Sequence, residues 1–465
     1  MIQLRHAQPT LWHKGLAKDI EDLWEPWMKE ADRLLDDAAL LETVYEAQGQ
    51  RHRHSRRLGR LQTPAEIALR LLILKHVRNW GYDTLEREVR ANLVYRAFTR
   101  IGDGKVPDAK TLARIGQVIG PEVIGDLHER LVAMAREHGV VKGRKLRVDT
   151  TVVETNIHYP TDSSLLGDGA RVLMRTMKKI DKKAGGLKQK IRDRMRTVKK
   201  RVVAIALAAR QTGPQREERR RQQYAELLTV TRRILNQAEG VLQEVEQLGR
   251  PRRRRLEPLR EILETMAGRV RQVVSQARAR VFQGITHFPE KIVSVFEPHT
   301  EIIRKGKASK PTEFGKLVQV QEAENQIITH YRVFPERPSD QHLLVPAVEE
   351  HQRRFGRVPR LVAADAGFYS QANEKKVQEM GVSWVAVPHR STHSAQRRAL
   401  QKRRWFRAAQ RWRTGSEGRI SVLKRRHGLN RCRYRGLTGM ERWVGLGVIA
   451  DNLIQIGTHL ALQSA

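Results

Sequence analysis

Three acids sit where acids are conspicuous. Asp149 lies inside Leu146-Arg147-Val148-Asp149-Thr150-Thr151-Val152-Val153-Glu154, whose apolar positions follow a strand-like pattern. A charge among such neighbours needs a partner: a metal ion on a buried strand, or water on a solvated edge strand. Asp365 closes the apolar run Leu361-Val362-Ala363-Ala364, and Gly367 lets the chain turn beyond it. Carboxylates at the carboxyl end of a buried strand in an α/β sheet face the crevice where ligands bind. The competing assignment is a helix N-cap, a position that favours Asp. Glu417 lies in a segment that reads as a helix despite Gly415 and Gly418, and steps of four and seven bring Arg413, Glu417 and Lys424 onto one face. An i,i+4 ion pair with Arg413 is the simpler role for it. Against that, residues 390–435 hold 16 Lys and Arg and this single acid, a composition suited to phosphates. Three carboxylates suit hard cations such as Mg²⁺ or Mn²⁺. Two such ions, about 3.5–4 Å apart, stabilise both the attacking and the leaving oxygen of an in-line phosphoryl displacement.

The elements that must position these acids begin with the bulk of the chain. Its 465 residues allow two or three domains, and 88 Lys and Arg against 51 Asp and Glu give a formal charge of +37. A surface so positive binds polyanions with little regard to sequence, through release of condensed counterions. Membrane is the weaker partner: the first ten residues, MIQLRHAQPT, have no signal-type apolar run, and the apolar stretch 444–465 carries Asp451, Asn452 and His459. It reads as a buried helix, with Asp451 and Asn452 serving its packing. The single cysteine, Cys432, excludes an internal disulfide framework and a Cys-rich zinc site. The expectation is a cytoplasmic protein that binds nucleic acid.

Residues 1–60, with Trp12, Trp24 and Trp27, stay undefined as an N-terminal segment. Residues 61–140 form a helical domain. Thr63 at N-cap, Pro64 at N1 and Glu66 at N3 start an amphipathic helix over 65–79, and further helices cover 82–101, 108–119 and 122–138. This domain is expected to bind DNA, by a helix-turn-helix if one is present. Residues 141–170 open the catalytic domain with a strand at 145–153. Residues 171–285 form long amphipathic helices broken at Gly185-Gly186, Gly213-Pro214 and Gly249-Arg250-Pro251. Residues 171–280 hold 31 Lys and Arg against 11 Asp and Glu, which suggests DNA contact rather than only a solvated face. Residues 286–465 complete the domain: strands at 292–296, 317–321 and 327–334, helix 343–355, strand 360–364, helix 371–380, strand 384–387, then basic helices. Without 171–285, this order is the one expected of an α/β RNase H-like domain. The predicted fold is therefore an RNase H-like catalytic domain with an N-terminal all-α domain and a long helical insertion.

On these motifs the chain resembles bacterial insertion-sequence transposases of the Asp-Asp-Glu type, ISNCY-like and related to the group with a Tyr-Arg-Glu-Lys signature. The resemblance is carried by four segments: Asp149-Thr150-Thr151-Val152-Val153-Glu154; Arg304-Lys305-Gly306-Lys307 through Glu313-Phe314-Gly315; Asp365-Ala366-Gly367-Phe368-Tyr369; and the spacing of Arg413, Glu417 and Lys424. It runs from about residue 60 to the C-terminus, with 171–285 an insertion relative to shorter relatives. The tyrosine of the signature falls on Gln410, which removes its aromatic contact and leaves the acids untouched.

The resemblance implies cleavage at the ends of a mobile element, followed by attack of the freed 3′-hydroxyl on target DNA. Asp149 would bridge two metal ions, with Asp365 and Glu417 each completing one site. Arg413 and Lys424 would hold phosphates near the scissile bond. Asp340 and His342 are possible accessory residues, a turn-and-cap role for Asp340 standing beside that; Glu154 and His158 rank below them. Pairing of two DNA ends favours at least a homodimer. Two alternatives remain: a metal-dependent nuclease with the same acids, and an inactive DNA-binding descendant of a transposase.

Overall fold

The computed structural model describes residues 1–5, 20–51, 54–58, 61–213, 215–304 and 311–464. Trp12, Pro214, Lys305, Gly306 and Lys307, which figured in the sequence reading, lie outside them. The chain divides into two units, Met1–Asn156 with Gly315–Ala465, and Ile157–Phe314.

Among the described residues, the first unit opens with seven α-helices: α1 (Pro26–Leu34), α2 (Ala38–Gly49), α3 (Ala65–Val77), α4 (Tyr82–Ala91), α5 (Leu93–Phe98), α6 (Ala109–Val118) and α7 (Pro121–Glu137). Local chemistry sets their starts. Pro26 and Pro121 occupy first-turn positions, and the side chains of Asp37, Asn92 and Asp108 accept from backbone N–H groups of the helices they precede. The expected helix over 82–101 is interrupted at Asn92, which turns extended (φ −117°, ψ 121°) and caps α5. Helix α3 starts one residue after Pro64, which holds the N-cap position expected for Thr63.

Helix α3 is also buried on every face, where the sequence pointed to an amphipathic helix. Two of its charged residues find partners in place. Arg70 reaches Asp32 at 2.6 Å and Asp36 at 3.0 Å. The Lys75 ammonium lies 4.9, 5.0 and 4.7 Å from the ring centroids of Tyr82, Tyr434 and Trp443. A helix at the centre of a core can carry such residues only if each finds a partner.

Next comes β1 (Lys145–Glu154), and the chain leaves for the second unit. There lie α8 (Asp162–Ala184), which starts before the expected bound of 171, α9 (Met195–Arg210), α10 (Arg216–Glu246) and α11 (Arg250–Phe282), followed by the short strand β2 (Glu301–Ile303). Thr161 and Ser164 form a capping box at the start of α8, and Gly185 ends it with φ +81°. These helices share their own core, which includes Leu173, Met177, Leu227, Ile234, Leu263 and Val270. Residues 292–296 are not a strand. Ile292, Val293 and Val295 are buried, as a strand's would be, but Gln276 and Ser294 side chains bond the local backbone.

Back in the first unit, β3 (Glu313–Glu322) and β4 (Ile328–Val333) form the expected antiparallel hairpin, turned through Asn325 and Gln326 at φ +54° and +63°. Then follow α12 (Leu344–Phe355), β5 (Leu361–Ala363), α13 (Gln371–Glu379), β6 (Trp384–Ala386), α14 (Ala395–Lys402), α15 (Arg404–Arg426) and α16 (Gly436–Ser464). In this unit the strands run β4-β3-β1-β5-β6. The β1–β3 pair is antiparallel, while β1–β5 and β5–β6 are parallel. This is a mixed sheet with helices, consistent with the RNase H-like arrangement expected. Central position explains why β1 is buried on both faces rather than strictly alternating. In α16, Asp451 pairs with Arg419 at 2.7 Å and Asn452 bonds both backbone groups of Ile328, so both serve packing. Among the described residues, no helix is long and apolar enough to cross a membrane.

Candidate active site

Strand β1 carries Asp149 in the middle of the sheet, β5 ends two residues before Asp365, and α15 packs against β1, β5 and β6. Two side chains fix that helix in place. Arg147, next but one to Asp149 on β1, donates to the main-chain oxygen of Trp412, pairs with buried Glu322 on β3, and sits 5.0 Å from the Trp412 ring centroid. Gly415 is what lets α15 come this near: a Cβ there would stand 2.5 Å from the Arg147 guanidinium. Gln410, at the position where the signature has tyrosine, donates its amide to the carbonyls of Ala386 (2.5 Å) and Ala364 (3.3 Å). It thereby ties α15 to the ends of β5 and β6, beside Asp365.

The Asp149 carboxylate is held from both sides. Its Oδ2 accepts from the Ser416 hydroxyl at 2.8 Å, and its Oδ1 accepts from the Thr150 backbone N–H at 2.8 Å. Burial raises its pKa above the ordinary carboxylate range, and the Asp365 charge raises it further. The bonds from Ser416 and Thr150, and the Arg413 guanidinium, act in the opposite direction.

Arg413 stands between two of the three acids, with Nη1 3.9 Å from Asp149 and Nη2 3.1 Å from Glu417. Its Nε is buried with no hydrogen-bond partner among the described residues. The Glu417 side chain is 62% exposed, so the i,i+4 ion pair forms at an open rim. Asp365 accepts from the Gly367 N–H at 2.9 Å and so caps a short turn. Asp365 thus holds the capping position, and its charge acts on Asp149.

Asp340 joins this group. Thr150 donates its hydroxyl to it at 3.3 Å, and a Cβ on Gly367 would stand 3.3 Å from its carboxylate and 3.2 Å from that of Asp365. His342 is exposed, in the same short 3-10 helix as Asp340 (Asp340–Leu343). Lys424 lies two helical turns beyond Glu417 on α15. Glu154 stands 3.9 Å from Arg431, and His158 stands 3.6 Å from Asp168, within the second unit. Ser416 and Arg147 carry no sequence signal, since their partners are far away in the chain; Thr150 stood in the Asp149 motif without a role of its own.

The donors suit a divalent cation in kind. They are hard carboxylate oxygens, and a cation would relieve the desolvation and mutual repulsion of Asp149 and Asp365. Among the described residues, no three His, Cys, Asp or Glu side chains converge closely enough to hold an ion as they stand. The positive charge at this place belongs to Arg413, to which Glu417 is turned.

Residues 291–453 match the family model of a transposase DDE domain, and residues 26–117 match that of a transposase domain, DUF772. The first span includes Asp365 and Glu417 and leaves out Asp149; the second begins inside the segment that the sequence left undefined. No curated protein and no solved structure matches the chain. A DDE domain implies phosphoryl transfer on DNA that depends on divalent metal.

Proposed function

We propose how this chain, a transposase with a DDE catalytic domain, performs its chemistry: Asp149, Asp365 and Glu417 hold two Mg²⁺ or Mn²⁺ ions and act on the ends of an ISNCY-like insertion sequence. The observation that carries this reading is the position of Arg413, one guanidinium facing both Asp149 on the central strand and Glu417 on α15. Residues from distant parts of the chain meet there, around a positive charge. When bound, the ions supply Lewis-acid stabilisation of the attacking and leaving oxygens.

The protein's own residues do the rest. Ser416 and the Thr150 N–H orient Asp149, Gln410 and Arg147 hold α15 over the sheet, and Asp340 stands beside Asp365 as an accessory acid. Lys424 holds a phosphate near the scissile bond, and Arg413 a neighbouring one. Residues 61–140 recognise the element's terminal repeats, and residues 141–170 and 286–465 make up the catalytic domain interrupted by 171–285. The protein works on double-stranded DNA in the cytoplasm, as at least a dimer that pairs two ends.

The test is an incubation with element ends, target DNA and Mg²⁺, analysed for cut and joined products. Cutting and joining by the native protein, with both lost in Asp365→Asn while DNA binding is kept, is the expected result. Cutting without joining would replace this reading by a nuclease, and binding without cutting by an inactive DNA-binding protein.

A further inference from the structure

The second unit has an unusual end. Helix α11 begins Arg250-Pro251-Arg252-Arg253-Arg254-Arg255, with no acid in its first turn. All of these residues are exposed, and packing starts abruptly at Leu256, which is buried. Four consecutive residues cover most of a helical circumference, so no single neighbour could neutralise them. Among the described residues, the side chains of Arg250, Arg252, Arg254 and Arg255 make no hydrogen bond or ion pair, and Arg253 acts only at a distance, on Glu257. Like charges one turn apart repel, and cations oppose the positive end of a helix, so this arrangement is costly in the free protein.

A second segment adds to it. Helices α8 and α11 are antiparallel: Asp162 meets Gln276 and Arg280, and Gly169 meets Val270. Extending that register at constant rise brings Lys182 and Lys183 opposite the first turns of α11. The loop that follows is strapped to α10 by backbone N–H bonds from Lys188 and Gln189 to Glu244, which leaves both of its lysines, Lys188 and Lys190, at the same end. Most of the nearby acids are engaged elsewhere. Asp181 binds the Leu187 N–H, Asp193 pairs with Lys178, and Glu246, Glu257 and Glu264 all act on Arg260.

We propose that this end of the second unit is a docking surface for the phosphate backbone of duplex DNA, in addition to the carboxylate site. Guanidinium forks match phosphate oxygens in pairs, and release of counterions rewards a cluster of them. The class of partner follows from what is missing: residues 182–190 and 249–256 contain no aromatic side chain. Single strands are held by stacking on aromatic rings, and membrane surfaces by an apolar face beside the basic one. This surface offers charge alone, the recognition suited to a duplex backbone. The inference rests on the DNA-transfer reading only for the choice of DNA over double-stranded RNA.

The experiment compares the full-length protein with Arg252→Gln/Arg253→Gln/Arg254→Gln/Arg255→Gln and with a charge-matched control, Lys29→Gln/Arg33→Gln/Lys375→Gln/Lys376→Gln, all exposed positions elsewhere. Binding to a random-sequence duplex of about 40 base pairs is titrated across salt concentrations. The arginine variant is expected to bind at least tenfold more weakly at low salt, its log–log salt slope shallower by about 3, while the control changes little. Equal behaviour of the two variants overturns the proposal, as does a loss of binding to phosphatidylserine vesicles or duplex RNA with binding to DNA intact. Should the quadruple variant fold poorly, the native protein provides the measurement: DNA should protect the peptide around 250–255 from arginine modification by phenylglyoxal, and unaltered labelling would overturn the idea. Native protein that binds in this way yet never cuts DNA would sink the catalytic reading and leave this surface standing.

Discussion

Ser416 donates its hydroxyl proton to Asp149 across 2.8 Å, joining α15 to β1 at the carboxylate proposed to hold metal. The bond fixes the orientation of that carboxylate while a backbone N–H holds its other oxygen. Outer partners of this kind typically matter by one to two orders of magnitude. Ser416→Ala should therefore cut DNA roughly 10- to 100-fold more slowly in Mg²⁺ and bind duplex DNA as the native protein does. An unchanged cleavage rate would remove Ser416 from the site.

The two glycines of α15 should respond in opposite directions. Ala at 415 would drive a methyl into the Arg147 guanidinium, which is pinned by Glu322 and the Trp412 carbonyl and has nowhere to go. Gly415→Ala should destabilise by about 1–3 kcal/mol. Nothing lies within 4 Å of a Cβ at Gly418, so Gly418→Ala should stabilise by roughly 0.5–1 kcal/mol through helix propensity alone. Chemical denaturation of both variants settles the sign; a loss at 418 as large as that at 415 would contradict the packing described.

Arg147 and Glu322 form a buried ion pair between neighbouring strands. Removing one partner strands the other charge, so Arg147→Met should cost about 3–5 kcal/mol. Arg147→Met/Glu322→Leu removes both charges and should recover at least half of that loss. A double variant no more stable than the single one would mean that the Trp412 contact, rather than the ion pair, dominates.

Burial pushes Lys75 down to about 7, even though three aromatic rings face its ammonium. Between that pH and the ordinary value near 10.5, the unfolded chain holds a proton that the folded protein gives up. Stability must then rise with pH across this window, by up to about 1.4 kcal/mol per unit, and level off above it. Lys75→Met should lose this slope. Parallel stability–pH profiles for the two proteins between pH 8 and 10 would show that Lys75 does not titrate as described.

The sequence carried the sheet well where the signal was periodic and local. Leu146, Val148 and Val152 marked β1, and the β3–β4 hairpin and the strand–helix alternation after it were legible from β-branched runs and turns. It misled at 292–296, because Ile292, Val293 and Val295 are buried for lack of exposure rather than through strand pairing, and the side chains that satisfy that backbone lie on α11 and on Ser294. It also ran through Asn92, where a side-chain cap outcompeted helix continuation. For the acids, type and spacing drew attention to Asp149, Asp365 and Glu417. Spacing said nothing of Arg147 or Ser416, whose importance comes from contacts made across long stretches of chain. Gln410 is instructive: judged against the signature it was a missing tyrosine, and in three dimensions it is the clasp between α15 and two strand ends.

The register that pairs Glu154 with Gly315 places the whole second unit between two facing residues of adjacent strands. During synthesis, β1 leaves the ribosome long before β3, its antiparallel partner, exists. At about 5–20 residues per second, the intervening stretch occupies roughly 8–30 s. For that time a strand bearing Val148, Val152 and Val153 has neither edge covered, a state prone to pairing with other chains. A helical unit with a core of its own can fold during this wait, and by bringing its ends together it turns a long, floppy closure into a short one. The helices of the second unit would then act as a timer and a splint for the sheet whose strands flank them in the chain.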